Sequence, residues 1–267
     1  MFFGKGRYDG SSFIELLRTE CEHLTPRLDI AADNDGRLAS GIPHGTTVVA
    51  LRYADGAVIA GDRLATEGYQ VAMRSIEKVF KTDEHSAMAI AGAAGPCIDM
   101  ARLFRIELEH YEKIEGVELD LEGKANKLGQ MIRQNLPMAM QGLVVVPIFT
   151  GFDLKLSKGR IYKYDVTGGH YEETDYYAIG SGGKDARSSF KKTYRTNASE
   201  EEALRMVLEA LFDAADEDRG TGGVDSVRGI YPTAKTVTSK GIIDIPEDRI
   251  RALYEGVLAN RRAVEAA

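Results

Sequence analysis

Residues 46–53 (TTVVALRY) form a β-branched, apolar run, Ala54-Asp55-Gly56 supplies turn chemistry, and residues 57–60 return as a second strand. Strands joined by so short a connection pair antiparallel. Further runs of strand character lie at 87–91, 143–154, 159–165, 176–179 and 233–245. Between them the apolar spacing turns helical. Residues 97–114 place Cys97, Ala101, Phe104, Leu108 and Tyr111 on one face, and 121–136 follow, closed by Pro137. Residues 184–194 form a third helix. A fourth opens with a Ser199–Glu202 capping box and carries Leu204, Val207, Leu208 and Leu211 on one side, and 246–264 form the last. Strands, two helices, strands, two helices, strands, helix: this order predicts an α+β fold with antiparallel sheets and helical layers outside them.

Residues 1–45 differ from this body. Ser12 to Glu15 make another capping box, opening a short helix with Phe13, Leu16, Leu17, Cys21 and Leu24 on one stripe, which should end before Pro26. From Ala31 to Gly45 the chain has linker composition, rich in Asp, Asn, Gly, Ser and Pro. The segment reads either as an arm with a weak helix or as a removable leader ending at Gly45.

A net charge of −7 argues against a nucleic-acid surface. The longest apolar stretch, Leu143 to Phe149, is far short of the ~20 residues that cross a bilayer, and the N-terminus lacks the apolar core of a secretory signal. With only Cys21 and Cys97, no disulfide framework is built, and a cytoplasmic location is the expectation. Gly180-Ser181-Gly182-Gly183-Lys184 suggests a phosphate loop, but Ala178 and Asp185 stand where Gly and Ser or Thr would be needed. No serine sits in a G-x-S-x-G elbow. His23, His44, His85, His110 and His170 have no metal-ligand spacing, so neither a metal nor a cofactor is expected.

A different nucleophile remains. A threonine hydroxyl needs a base, and a free α-amino group, with a pKa of about 7.7–8.0, can serve. Thr46 would carry both groups if the Gly45–Thr46 bond were cut, and Gly45, lacking Cβ, tolerates the strained turn that such a cut requires. Asp62 ends the second strand, which brings it back beside the start of the first. Lys78 follows in Ile76-Glu77-Lys78, and Ile90-Ala91-Gly92-Ala93-Ala94-Gly95 is a small-residue turn whose backbone N–H groups can serve as an oxyanion hole. Each has a plain alternative: Asp62 a turn residue, Lys78 a surface charge, Gly92 a helix entry.

Jointly these positions form a pattern. Asp62, Lys78 and Gly92 lie 16, 32 and 46 residues after Thr46, and Gly180-Ser181-Gly182-Gly183 and Asp218 before Thr221-Gly222-Gly223-x-Asp225 follow. In these motifs the chain resembles the proteasome β-subunits, within the N-terminal nucleophile hydrolases; the long leader, Glu109-His110-Tyr111-Glu112-Lys113 and Val227-Arg228-Gly229-Ile230-Tyr231-Pro232-Thr233 look most like those of the actinobacterial 20S type. The resemblance covers residues 46–267 and implies a four-layer αββα sandwich, with 1–45 a propeptide removed by autocleavage at Gly45–Thr46. It implies that Thr46 attacks the peptide carbonyl, that Lys78, held charged by Asp62, assists electrostatically, that the Gly92 amide stabilises the oxyanion, and that Ser181 and Asp218 hold the threonine amine with Thr221 nearby. Two positions depart from the family pattern: Leu64 stands where an Arg is frequent, and Thr221 where a Ser is frequent.

By offset from Thr46 the substrate pocket should be lined by Ala65, Ile76, Phe80, Ile90, Ala94 and Cys97, all uncharged, which would favour apolar residues before the cut bond. The implied assembly has heptameric β-rings between α-subunit rings, fed by a ring ATPase, with some substrates carrying a ubiquitin-like protein tag. Two other readings are a non-catalytic structural ring subunit and an amidase of the same superfamily acting on small molecules.

Overall fold

The computed structural model describes residues 45–67 and 70–265. The capping box at Ser12, the stripe through Cys21, His23 and His44 lie outside them. In chain order the elements are β1 (Thr47–Tyr53), β2 (Gly56–Gly61), β3 (Ala65–Glu67), β4 (Gln70–Met73), β5 (Val79–Lys81), β6 (Ser86–Gly92), α1 (Ala94–Glu115), α2 (Leu121–Gln134) and α3 (Leu136–Ala139). There follow β7 (Val145–Asp153), β8 (Lys158–Tyr164), β9 (His170–Glu173), β10 (Tyr176–Gly180), α4 (Gly183–Thr193), α5 (Glu200–Glu217), β11 (Thr233–Thr238), β12 (Gly241–Asp244) and α6 (Glu247–Glu265).

Two five-stranded antiparallel sheets result, ordered β10-β1-β2-β11-β12 and β5-β6-β7-β8-β9, with β3 and β4 forming a separate hairpin. Strand alternation distributes the side chains. Val48 and Ala50 of β1 meet Ile59, Ala87, Ala89, Ile148 and Ile161 in a core between the sheets, whereas Val49, Leu51 and Tyr53 pack outward on α4, α5 and α6. Met88, Ile90, Phe149 and Tyr162 of the second sheet pack on α1 and α2 around Phe104 and Leu128. The layers are therefore helix, sheet, sheet, helix, the αββα sandwich that the resemblance implies. Because β1 and β2 are covered on both faces, they read as apolar runs without a polar period. Small residues let the sheets close up: a Cβ on Gly159 of β8 would come within 2.5 Å of the Gly56 backbone of β2.

The capping box opens α5 as expected, with Ser199 N–H donating to Glu202 and Glu202 N–H to the Ser199 hydroxyl. Asp120 caps α2 through the Gly123 N–H at 2.8 Å. Two expectations need correction. Residues 233–245 are not one strand but the hairpin β11–β12, because Lys240 N–H donates to Thr238 Oγ1 and Gly241 adopts φ +99°. Likewise α2 stops at Gln134, and Pro137 sits in the first turn of α3, where a missing N–H costs nothing. Strands β3, β4, β5 and β9 are three or four residues each, too short to stand out from the sequence. Among the described residues no helix is long and apolar enough to cross a membrane, and no cluster of His, Cys, Asp and Glu is placed to hold a metal ion.

Candidate active site

The site lies where one end of the first sheet meets the edge of the second. The β1–β2 register pairs Val48 with Gly61, which sets Asp62 beside Thr47; Asp62 N–H donates to Thr47 O at 3.1 Å. On the other side of β1, Gly180 pairs with Thr47, so Ser181 N–H reaches Thr46 O at 2.9 Å. Lys78 comes from the other sheet, one residue before edge strand β5. Asp218 ends α5, and the loop after it returns Thr221 and Gly222 to the same place.

The first half of the site is an ion pair. Asp62 is fully buried and Lys78 is 4% exposed, with Nζ 2.7 Å from Oδ1. The remaining Asp62 acceptor positions are filled by backbone donors: Thr47 N–H on Oδ1 at 2.7 Å, and Leu64 N–H and Gly222 N–H on Oδ2 at 2.9 and 2.8 Å. The three N–H bonds of the Lys78 ammonium go to Asp62, to Leu64 O at 2.6 Å and to Gly45 O at 3.3 Å. Burial pulls the Lys78 pKa below the usual lysine value, and the Asp62 charge opposes that fall. The result is a desolvated, fully hydrogen-bonded cation, anchored by Asp62 and Leu64 and facing the Gly45 carbonyl. Leu64, the departure from the Arg-bearing pattern, serves here through its main chain alone.

The second half is a hydroxyl relay. Thr46 N–H points to Ser181 Oγ at 3.5 Å, and Ser181 Oγ lies 2.5 Å from Asp218 Oδ2. Thr221 Oγ1 donates to the same Oδ2 at 2.6 Å and lies 2.6 Å from Thr47 Oγ1. Gly182 N–H donates to Thr47 Oγ1 at 3.0 Å. A carboxylate only accepts, so each proton can be assigned: Thr47 donates to Thr221, Thr221 and Ser181 donate to Asp218, and Ser181 accepts from the Thr46 amide. Thr221 thus uses its hydroxyl as a serine would.

Between the halves stands the Gly45–Thr46 bond. Thr46 Oγ1 donates to the Gly45 carbonyl oxygen at 2.6 Å, and Lys78 Nζ approaches the same oxygen. The seat of Gly45 has no room for a side chain: a Cβ would fall 2.4 Å from Thr66 Oγ1, 2.7 Å from Gly220 O and 3.0 Å from Gly220 Cα. Gly92 ends β6 at φ +135°, a conformation that suits glycine. It lines the same cleft as Gly45 and Thr46, but the Gly92 amide makes no bond to the Gly45 oxygen among the described residues.

All six residues expected at the pocket, Ala65, Ile76, Phe80, Ile90, Ala94 and Cys97, line that cleft, together with Glu77 and Ile98. Burial pushes the Cys97 thiol up to about 12, although the Lys78 charge pulls the other way. Sequence reasoning missed Thr47, Leu64, Gly182 and Gly222 as site groups. Three of the four act through backbone N–H or C=O, which no side-chain pattern reveals. Thr47 carried a signal only as the second of two threonines opening a strand.

The proteasome subunit family model matches residues 42–228. The chain is 51% identical over 248 residues to a proteasome subunit beta of Acidimicrobium ferrooxidans, which spans 92% of this chain and 89% of the relative. It is 50% identical to that of Acidothermus cellulolyticus (95% and 88%) and 49% identical to that of Rhodococcus jostii (94% and 90%). With its two-sheet sandwich, and with half its residues shared over more than nine tenths of its length, this chain belongs to the proteasome subunit family, as a β-subunit of the bacterial type.

Proposed function

We propose that this chain is a threonine endopeptidase subunit of a 20S core, made as a precursor that cuts its own Gly45–Thr46 bond. The observation that carries the reading is the double engagement of the Gly45 carbonyl oxygen, by the Thr46 hydroxyl at 2.6 Å and by the Lys78 ammonium at 3.3 Å. The hydroxyl oxygen adds to the Gly45 carbonyl carbon and its proton passes to water. Lys78 stabilises the charge that develops on oxygen. Collapse breaks the C–N bond and the Thr46 nitrogen takes up a proton, leaving an ester that water hydrolyses to a Gly45 carboxylate and a free Thr46. The mature domain is then 46–267.

The Thr46 nitrogen faces Ser181 Oγ at 3.5 Å, and Ser181 is bonded in turn to Asp218, an arrangement that would keep the released amine next to its own hydroxyl. In turnover the amine, through water, takes the hydroxyl proton as Thr46 attacks a substrate carbonyl. Movement of the reacting oxygen toward the Gly92 amide supplies the oxyanion donor. An acyl ester forms, the amine of the departing peptide leaves with a proton, and water frees the enzyme. Ala65, Ile76, Phe80, Ile90, Ala94 and Cys97 give the cleft an apolar wall beside Glu77 and Lys78, and that wall favours an apolar residue before the cut bond. Assembly with α-subunits and with other copies of this chain into heptameric β-rings encloses the site, and a ring ATPase would deliver unfolded substrates.

N-terminal sequencing and intact mass of the chain co-expressed with its α-subunit partner test the reading. A chain starting at Thr46 is expected. A peptidase-active complex that keeps residues 1–45 would overturn it. Thr46→Ala should give an assembled, uncut and inactive chain.

A further inference from the structure

Thr47 is the residue that touches both halves of the site. Its N–H holds Asp62 Oδ1 at 2.7 Å, the oxygen that also binds Lys78. Its hydroxyl, fully buried, accepts from Gly182 N–H at 3.0 Å and meets Thr221 Oγ1 at 2.6 Å. Asp218 Oδ2 only accepts and takes the single Thr221 proton, so Thr221 accepts the Thr47 proton, while Gly182 N–H holds the Thr47 oxygen from the other side. Reversal of that chain would leave Asp218 with one hydroxyl donor instead of two. The groups around the Thr46 nitrogen would then change without any of them being touched directly.

We propose that Thr47 is a positioning residue whose hydroxyl fixes the direction of the Thr221–Asp218–Ser181 hydrogen bonds, and through them the place of the Thr46 amine. This rests on the proposed function above. Valine has nearly the same shape as threonine but neither donates nor accepts. In Thr47→Val the Gly182 N–H loses its acceptor inside the protein, and Thr221 is free to turn toward it and away from Asp218. Loss of one buried hydrogen bond in such a relay corresponds to a fall of about ten-fold in kcat. KM should hold within about two-fold, because Thr47 does not line the substrate cleft.

The test uses the assembled complex of the full chain with its α-subunits, with processing followed by mass and kcat and KM measured on a fluorogenic peptide. Thr47→Val with kcat about ten-fold down, KM unchanged and Thr47→Ser restored to wild type is the expected result. Wild-type kcat in Thr47→Val overturns the proposal. So does a Thr47→Ser variant as impaired as Thr47→Val, since the methyl group would then be the cause. Should Thr47→Val fail to assemble, Thr221→Val decides: a similar ten-fold loss in kcat supports the relay, and full activity overturns it. A double variant that loses no more than either single one is expected of residues acting in series. Failure of the underlying reading shows separately, as a wild-type chain active with residues 1–45 attached.

Discussion

Replacing Gly45 with Ala adds one methyl group to a seat that has no space for it. The methyl would lie 2.4 Å from Thr66 Oγ1, 2.7 Å from Gly220 O and 3.0 Å from Gly220 Cα. The Thr66 hydroxyl can rotate away. The Gly220 backbone cannot, because Gly220 N–H is bonded to Asp218 Oδ1 at 3.0 Å and the next residue, Thr221, is tied into the relay. Ordinary contact distances then require the Gly45 carbonyl to retreat by roughly half an ångström, away from the Thr46 hydroxyl or from Lys78. Displacements of this order in a reacting pair cost about ten- to a hundred-fold in rate. Self-cleavage of Gly45→Ala should slow by that factor, measured as the time course of precursor and mature masses after mixing with α-subunits. In the proposed maturation residue 45 leaves with the propeptide, so peptidase activity per mature chain should equal wild type. Maturation at the wild-type rate would refute the steric reasoning. A normal maturation product with impaired turnover would show that Gly45 acts on something other than the cut.

Lys78→Met should lower peptidase activity by about 10³-fold, by analogy with loss of a principal charge stabiliser. It should also cost the precursor up to about 3 kcal/mol in denaturant unfolding, the low end for a broken buried pair because three backbone N–H groups still hold Asp62. Activity within ten-fold of wild type would contradict the role given to Lys78. Because burial lowers the Lys78 pKa, the ammonium is lost below the usual value of about 10.4, and the alkaline limb of kcat/KM should lie below that value in a pH–rate series. The folded pKa is the lower one, so the unfolded chain binds the extra proton between the two values, and this group's burial cost is relieved as pH rises through that window. The Cys97 thiol, raised to about 12, should resist iodoacetamide at neutral pH, monitored by mass; rapid alkylation of the folded chain would place the thiol in a different environment.

The hairpin, the main helices and the Ser199 capping box were legible because each rests on local patterning or turn chemistry. Asp62 beside the start of β1 followed from the hairpin alone, since an antiparallel return leaves little choice of partner. Lys78 did not: it reaches Asp62 and the Gly45 carbonyl from another sheet, and no periodicity encodes how two sheets face each other. Spacing against a known family supplied that link. Neither β4 nor β9 has a buried residue, so both lack the alternation that marks a half-buried strand. The turn inside 233–245 went unseen because Thr238 and Gly241 form it without an Asn-Gly or Asp-Gly pair.

One consequence of the two-sheet arrangement reaches beyond the site. Thr46 and Asp62 ride on one sheet and Lys78 on the other, and what holds the sheets in mutual alignment is the layer of Val48, Ile59, Val79, Ala87, Ala89, Ile148 and Ile161. A slip of a fraction of an ångström in that layer would leave both sheets folded yet detune the spacing on which the proposed attack depends. Turnover is therefore a finer gauge of that alignment than melting temperature, and conservative changes within the layer, at Ala89 or Ile148, should register first as lost rate.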